Sequence, residues 1–176
     1  MYNSLEQQIA TARRIFVKMP DQLFEMYIRS LINDMGNWPF HSCFDFTYNT
    51  PWHRIFSVVS LHEQANCFWK IGTVNSGSIC ITQQSLADIT QLLQNYDGTL
   101  LPVIKVCGFD YAYSKRSTGY HIQQLQRFAT YNLPVVIYPI AGKWHILDGN
   151  HRIGAALRLL NTTRQSYSIP AWIAEV

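Results

Sequence analysis

The sequence predicts an α/β (α+β) protein: a mixed sheet with helices over residues 100–176, preceded by an N-terminal extension over residues 1–99. Several segments repeat apolar residues with the period of a helix. Short runs rich in β-branched and aromatic residues, typical of strands, separate them. Hydrophobic residues make up 48% of the chain and charged residues only 14%, so a substantial core is expected. A soft boundary between the two parts is expected near residues 96–99.

The N-terminal extension begins with a predicted helical hairpin. The first helix spans residues 3–18, with Ser4 as its cap and Gln7 in the capping-box position. The second runs over residues 21–36. The extension continues with strands, a turn and a helix, predicted in order at 54–61, 67–74, 75–77 (the turn), 79–82 (a short strand) and 83–96 (the helix).

The C-terminal part has a clearer alternation of predicted strands and helices. Its predicted elements are a strand at 101–106, a loop at 108–119, a helix at 120–132, a strand at 133–140, a turn at 141–143, a short strand at 144–147, a helix at 149–160 and a last strand at 169–176. In the helix at 120–132 we expect Ile122, Leu125, Phe128 and Ala129 to face inward.

Cysteine usage and the N-terminus indicate a cytoplasmic protein. No two of the four cysteines stand in a C-x-x-C spacing, so we expect buried thiols in a reducing compartment. These cysteines are Cys43, Cys67, Cys80 and Cys107. No signal-peptide pattern and no long apolar run is present, so no membrane insertion is expected.

Positive charge is scarce and scattered. The net charge is +3, and the pair Lys115–Arg116 is the nearest thing to a basic cluster. These two residues are candidates for contact with DNA or a phosphate, and a solvated loop is the alternative.

The turn "DGNHR", residues 148–152, is where candidate chemistry concentrates. It joins a predicted strand to a predicted helix, whose N-terminus offers unpaired N–H groups and partial positive charge. Gly149 removes a Cβ and would let a ligand approach the backbone. Arg152 would add donors suited to phosphate, and His151 could donate to phosphate or act as a general acid or base.

Other roles for these side chains remain open. Asp148 could simply cap the helix, Arg152 could be solvated, and His151 could be an ordinary surface imidazole. The spacing His145-x-x-Asp148-x-x-His151 could form a metal site, although strand alternation disfavours it. Asp148 holding Mg²⁺ beside a nucleotide phosphate is the favoured metal hypothesis.

Residues 100–176, including "LPVVIYPIAGKWHILDGNHRIGAALRLL" and "IPAWI", resemble the ParB/sulfiredoxin superfamily. Its members share a strand, a loop, a helix, a second strand, a hairpin and a G-x-H-R or G-x-R-R turn. That turn opens a helix that continues with Ala. Gly149, His151 and Arg152 match the turn, and Ala155 follows. The resemblance implies a ParB/sulfiredoxin-like mixed sheet.

The resemblance also implies activities. ParB proteins bind and hydrolyse CTP and bind DNA, sulfiredoxins use ATP to repair an oxidised cysteine, and free serine kinases phosphorylate a small molecule. By resemblance, Gly149, Asn150, His151 and Arg152 contact the phosphates of ATP or another nucleoside triphosphate. The implied catalytic set is Asp148, His151 and Arg152, with Asp148 assisting Mg²⁺ or acting as a base.

The chain also departs from the superfamily. Asn150 stands where sulfiredoxin has its reactive cysteine, which excludes that repair. His121, Gln124 and Phe128 stand where sulfiredoxin has Lys, Ser and Thr ligands. ParB carries a downstream helix-turn-helix domain for operator binding, whereas this sequence ends at Val176, so ParB-type partitioning is not expected.

Three functions therefore compete. The first is a nucleotide-binding, ATPase-like phosphohydrolase with DNase activity that inhibits conjugative or T-DNA transfer, as in similar plasmid fertility-inhibition proteins of the Osa type. It would bind nucleotide, DNA and a secretion- or conjugation-system protein. The second is a non-catalytic nucleotide-sensing module. The third is a small-molecule kinase, for which Glu63, Asp88 and Asp110 are candidate bases.

Overall fold

A computed structural model describes residues 4–45, 51–97 and 111–176, with side chains at all of these except 95, 97 and 111–117. It shows a mixed helix-and-sheet fold, as predicted. The chain divides into two compact units, Met1–Lys70 with Ala174–Val176, and Ile71–Ile173. The boundary predicted near residues 96–99 lies inside the second unit.

The first unit is mainly helical. Helix α1 (Leu5–Ile15) has the predicted capping box, in which Ser4 and Gln7 each accept a backbone N–H from the other. The predicted second helix is α2 (Asp21–Phe24), a π-helical turn (Glu25–Arg29) and α3 (Ser30–Met35), followed by Gly36 at φ +62°. Two short helices follow, α4 (Trp52–Ile55) and α5 (Leu61–Asn66).

The strand predicted at 54–61 is wrong. Residues 52–55 are helical, and Ser60 caps α5 through a capping box with Glu63. The side chain of Gln64, fully buried, donates to the carbonyl of Val59 at 2.9 Å. A Ser-x-x-Glu capping signal and this buried hydrogen bond therefore outweigh the β propensity of the two valines.

The core of the first unit is aromatic. The Trp38 ring meets those of Phe40 and Trp52 nearly edge-on, with centroids 4.9 and 4.8 Å apart. Such edge-to-face pairs stabilise packing beyond the area they bury.

The second unit is built on a four-stranded mixed sheet of order β1-β4-β2-β3. The strands are β1 (Phe68–Asn75), β2 (Val135–Ile140), β3 (Lys143–Asp148) and β4 (Ser168–Glu175). β2 runs antiparallel to β3 and parallel to β4. These strands confirm the predictions at 67–74, 133–140, 144–147 and 169–176.

The β2–β3 connection is the predicted tight turn. Ala141 and Gly142 both have positive φ, as a two-residue type I′ hairpin requires. The strand predicted at 79–82 is reduced to one bridge, between Ile81 and Trp144, beside the edge strand β3. The predicted strand at 101–106 lies outside the described residues.

Three helices complete the second unit: α6 (Gln83–Asp97), α7 (Tyr111–Phe128) and α8 (Asn150–Thr163). They pack against one another, and α8 also packs on β2. The buried core between them includes Ile89, Leu125, Val135 and Ile153. α6 and α8 confirm the helices predicted at 83–96 and 149–160.

Helix α7 begins nine residues before the predicted start at Tyr120, so the predicted loop at 108–119 is wrong from residue 111 onward. Gly119, the last residue of that predicted loop, lies inside the helix. A Cβ there would be 3.5 Å from the ring of Tyr96 on α6, an ordinary contact. Packing of α7 against α6 therefore overrides the loop-like composition of this segment.

The inward face predicted for α7 is right in part. Ile122 and Leu125 are buried, but Phe128 is 54% exposed and Ala129 is exposed with positive φ. The helix ends at Phe128, so these last two residues leave the helical face that the periodicity assumed.

The cysteine prediction also holds only in part. Cys43, Cys67 and Cys80 are free thiols, and Cys107 lies outside the described residues. Cys67 is buried, and burial raises the pKa of its thiol to about 11. Cys80 is exposed, because the segment before α6 runs along the sheet edge rather than inside the core.

Among the described helices, none combines the length and apolar character that crossing a membrane requires.

Candidate functional site

The DGNHR turn lies where β3 ends and α8 begins, as predicted. Gly149 is the N-cap of α8, in the left-handed region at φ +102°. The helix has no side-chain cap, and its first backbone bond runs from Ile153 N–H to Gly149 C=O at 2.9 Å. The backbone N–H groups of residues 150–152 therefore have no acceptor within the helix. Asp148 is not a cap, contrary to one of the predicted alternatives.

Gly149 has a different reason for being glycine than the one predicted. A Cβ at this position would lie 2.5 Å from Cγ1 and 2.9 Å from Cβ of Val135 on β2. The space beside the α-carbon is filled by the neighbouring strand, so the missing side chain permits close packing and positive φ rather than the approach of a ligand.

Arg152 is buried rather than solvated. Its side chain is only 10% exposed, and its Nη1 donates to the carbonyls of Leu133 and Pro134, both at 2.7 Å. Its Nη2 donates to Asp148 Oδ2 at 2.8 Å. The guanidinium thus ties the start of α8 to the approach of β2, and the Asp148 carboxylate offsets its charge.

His151 lies in the first turn of α8, half-buried. Its Nδ1 is 3.2 Å from the hydroxyl of Thr118, a fully buried residue on α7. Burial lowers the pKa of His151; the carboxylate of Asp148 acts against this, and Arg152 reinforces it. His151 is therefore a neutral imidazole near pH 7, and can accept or donate a proton.

His121, one turn after Thr118 on α7, joins this cluster. Its ring lies edge-on to that of Tyr131, with centroids 5.4 Å apart. Burial lowers the pKa of His121 to about 4; the positive charge of Arg152 adds to this, as does that of His151 once it is protonated. The hydroxyl of Tyr131 donates to the Arg152 carbonyl at 2.9 Å, which fixes α8 to the segment after α7.

The structure therefore brings four of the five residues of the turn, Asp148, Asn150, His151 and Arg152, to one corner with α7. The sequence missed Thr118 as part of the site and gave no role to His121. Their spacing of three would place them on one helix face. The signal was lost because the segment up to Gly119 was assigned to a loop.

Lys115 and Arg116 lie on α7 instead of in the predicted loop, and their side chains are outside those described. Of the two other residues aligned with sulfiredoxin ligands, Gln124 is half-buried and Phe128 is exposed. These two positions therefore lack the hydroxyl ligands that sulfiredoxin has there.

His145 belongs to a separate cluster. Its Nδ1 is 3.1 Å from the Thr82 hydroxyl and 3.2 Å from the Ser85 hydroxyl, at the start of α6. Ser85 Oγ also accepts the N–H of Ile146 at 2.9 Å. Within the described part of the chain, no group of three or more His, Cys, Asp or Glu could hold a metal, so His145, Asp148 and His151 do not converge as a metal site.

Two of the three candidate bases for a kinase are engaged in local helix contacts. Glu63 forms the capping box of α5, in the first unit. Asp88 accepts a hydrogen bond from Gln84 one turn earlier on α6, at 3.0 Å. Asp110 lies outside the described residues.

Comparisons with protein-family models, curated proteins and solved structures find no match for this chain.

Proposed function

We propose that the protein binds a nucleoside triphosphate, with its phosphates at the first turn of α8, and hydrolyses it. The observation that carries the proposal is the uncapped start of α8, where the N–H groups of residues 150–152 lack helical acceptors beside His151. Such a terminus attracts anions through its N–H groups and its dipole.

The roles of the side chains differ from those expected for a simple phosphate cradle. His151 is the proposed general acid or base, since it is neutral near pH 7 and is held by Thr118. Arg152 holds the turn in place and does not bind phosphate, because its guanidinium already donates to three acceptors. Its contribution to anion binding is reduced by its pairing with Asp148.

Magnesium fits this corner through oxygen ligands only. The Asp148 carboxylate is 40% exposed, and the amide oxygen of Asn150 is buried without a hydrogen-bond partner. One or two such oxygens, completed by phosphates and water, are what Mg²⁺ accepts beside a nucleotide. In this role the ion would neutralise phosphate charge.

We further propose that the protein cleaves DNA and inhibits conjugative or T-DNA transfer, as the Osa-type proteins do. The resemblance of the turn to ParB/sulfiredoxin proteins supports this. The nucleotide assays are therefore run both with and without DNA.

The decisive variant is His151→Gln, with His53→Gln, an exposed histidine of the first unit, as the matched control. We expect ATP, CTP or GTP to bind in calorimetry with Mg²⁺ present. His151→Gln should lower phosphate release by about 100-fold or more, the usual share of a general acid–base group. His53→Gln should leave it unchanged.

Three results would change the proposal. If none of the three nucleotides binds, the site is wrong. If nucleotide binds without turnover, with or without DNA, the protein is the non-catalytic sensing module. Equal phosphate release by wild type and His151→Gln would remove His151 from the chemistry.

A further inference from the structure

Helix α7 carries positive charge and no negative charge. Its sequence includes Lys115, Arg116 and Arg127 but no aspartate or glutamate, so no ion pair can form within the helix. The second unit as a whole is also basic. Residues 71–173 contain eight lysines and arginines against four aspartates and glutamates, whereas the rest of the chain contains six against seven. This charge suits an anionic partner.

Two aromatic side chains of the same helix are exposed beside this charge. Tyr120 is 57% exposed and Phe128 is 54% exposed. Arg127 lies seven residues after Tyr120, which is close to two full turns, so both project from one face, about 10 Å apart along the axis. Gln123, between them on that face, is also exposed. The outer face of α7, defined by these four residues, is therefore aromatic, polar and cationic.

The cation and one of the rings form a single patch. The guanidinium carbon of Arg127 lies over the Phe128 ring, 5.1 Å from its centroid. Such a contact keeps the charge beside the ring while the rest of the ring stays exposed. A ligand that brings both negative charge and a flat π surface can therefore contact both side chains at once.

The chemistry of the outer face favours one class of anionic partner. Single-stranded DNA presents phosphates together with bases whose faces are free to stack on aromatic rings. Duplex DNA keeps its base faces inside its own stack, so it would contact Arg127 but leave both aromatic rings unused. The amide of Gln123 both donates and accepts, and can pair with the edge of any base.

We propose that the outer face of α7 binds single-stranded DNA, with bases stacked on Tyr120 and Phe128 and a phosphate at Arg127. This inference rests on the DNA part of the proposed function, and it specifies the form of DNA and the surface that holds it. Binding at this face requires no nucleoside triphosphate and no metal ion.

The test is fluorescence anisotropy of a labelled oligothymidylate of about 20 nucleotides, compared with a hairpin duplex of similar length. The assay contains EDTA and no nucleotide, so neither hydrolysis nor DNA cleavage affects the result. Salt is kept at about 50 mM, where phosphate contacts are strong. Wild type should bind the single strand about 10-fold more tightly than the duplex, the contribution of one stacked base.

Variants of Tyr120 test the stacking. Tyr120→Ala should weaken binding of oligothymidylate about 10-fold, whereas Tyr120→Phe, which keeps the ring, should bind like wild type. Phe44→Ala is the matched control, because it removes a 65% exposed ring from the first unit, and it should change nothing.

Arg127→Gln tests the phosphate contact. It should weaken binding and reduce the slope of log affinity against log salt concentration by about 0.7, the share of one phosphate contact on a single strand. Arg14→Gln, at an exposed arginine of α1, should keep the wild-type slope.

The outcomes separate this inference from the function on which it rests. Equal affinity of wild type for strand and duplex, or full affinity of Tyr120→Ala for the strand, overturns stacking on α7. Absence of oligothymidylate binding also overturns it, and leaves nucleotide hydrolysis to be judged by phosphate release. If wild type self-associates in sedimentation and Tyr120→Ala does not, the face binds a second copy of the chain and the inference is wrong. Strand binding without any binding of ATP, CTP or GTP overturns the proposed function alone.

Discussion

The second unit contains two histidine clusters, one around His145 on β3 and one where α7 meets the start of α8, and they differ in how fully their polar atoms are paired. At the start of α6, His145 has two hydroxyl partners, and one of these, Ser85, also accepts a backbone N–H. At the start of α8, His121 Nδ1 and Asn150 Oδ1 have no partner.

The difference separates a cluster whose polar atoms pair with one another from one that has unused hydrogen-bonding atoms, at the site proposed to bind nucleotide. A polar network whose members satisfy one another fixes the geometry of a core, here the join between α6 and β3. A buried group left unpaired reduces stability, and a water, an ion or a ligand is what commonly pairs such a group. Burial lowers the pKa of His145 and of His121 alike, so a shifted pKa does not distinguish the two clusters.

The backbone of the cluster at the start of α8 is nevertheless fixed by packing, and Gly149→Ala tests this. The new Cβ would meet Val135 at 2.5 Å, and φ is +102°. We expect the free energy of unfolding to fall by about 2–4 kcal/mol, from overpacking together with left-handed strain. Denaturant titration measures the loss.

Gly142→Ala is the matched control for that variant. Gly142 also has positive φ (+75°), but no atom lies within 4 Å of the added Cβ. It should lose only about 1 kcal/mol, the cost of strain alone. Equal losses at the two glycines would show that Val135 yields, and that packing does not set the turn.

Ser85→Ala tests the cluster around His145, whose polar atoms are paired. Removing the hydroxyl leaves the buried N–H of Ile146 without an acceptor, so we expect a loss of about 1–3 kcal/mol in the free energy of unfolding. Nucleotide affinity should not change. Thr90→Ala, which removes an exposed hydroxyl from the same helix, should lose less than about 0.5 kcal/mol. If a folded Ser85→Ala protein no longer binds nucleotide, the cluster around His145 also takes part in nucleotide binding, and the proposed difference between the two clusters is wrong.

The sequence predicted most of the frame that holds these clusters, because local signals and tertiary packing agree there. The capping box at Ser4 and the tight turn at Ala141–Gly142 each satisfy a local backbone requirement. Where the two disagree, packing decides. Residues 54–61 have strand-forming side chains but are held by Ser60 and a buried Gln64.

The site was predicted less well, because its residues are recognised by type and not by environment. Sequence identifies Arg152 as a cation beside a turn, but not the two carbonyls and the carboxylate that surround it. It could not show that His121 lies near His151, since they are thirty residues apart and meet only through the packing of α7 on α8. Which buried polar atoms lack a hydrogen-bond partner depends on how the helices pack, so the sequence alone does not reveal them.

The smallest predicted effect is in the pH dependence of stability. The pKa of His121 is about 4 in the folded protein and about 6.5 unfolded, so the unfolded state binds more protons between these values. The contribution of His121 is present above pH 6.5 and is lost as pH falls towards 4.

Comparing wild type with His121→Gln isolates this contribution, because His145 and His151 titrate in both proteins. Between pH 7 and pH 5.5, wild type should lose about 1 kcal/mol more free energy of unfolding than the variant. Denaturant midpoints across this range measure the difference. Identical pH profiles would mean that His121 is as easily protonated in the folded chain as in the unfolded one. Water would then reach His121 near the start of α8, and the unpaired Nδ1 of His121 would no longer indicate a bound ligand.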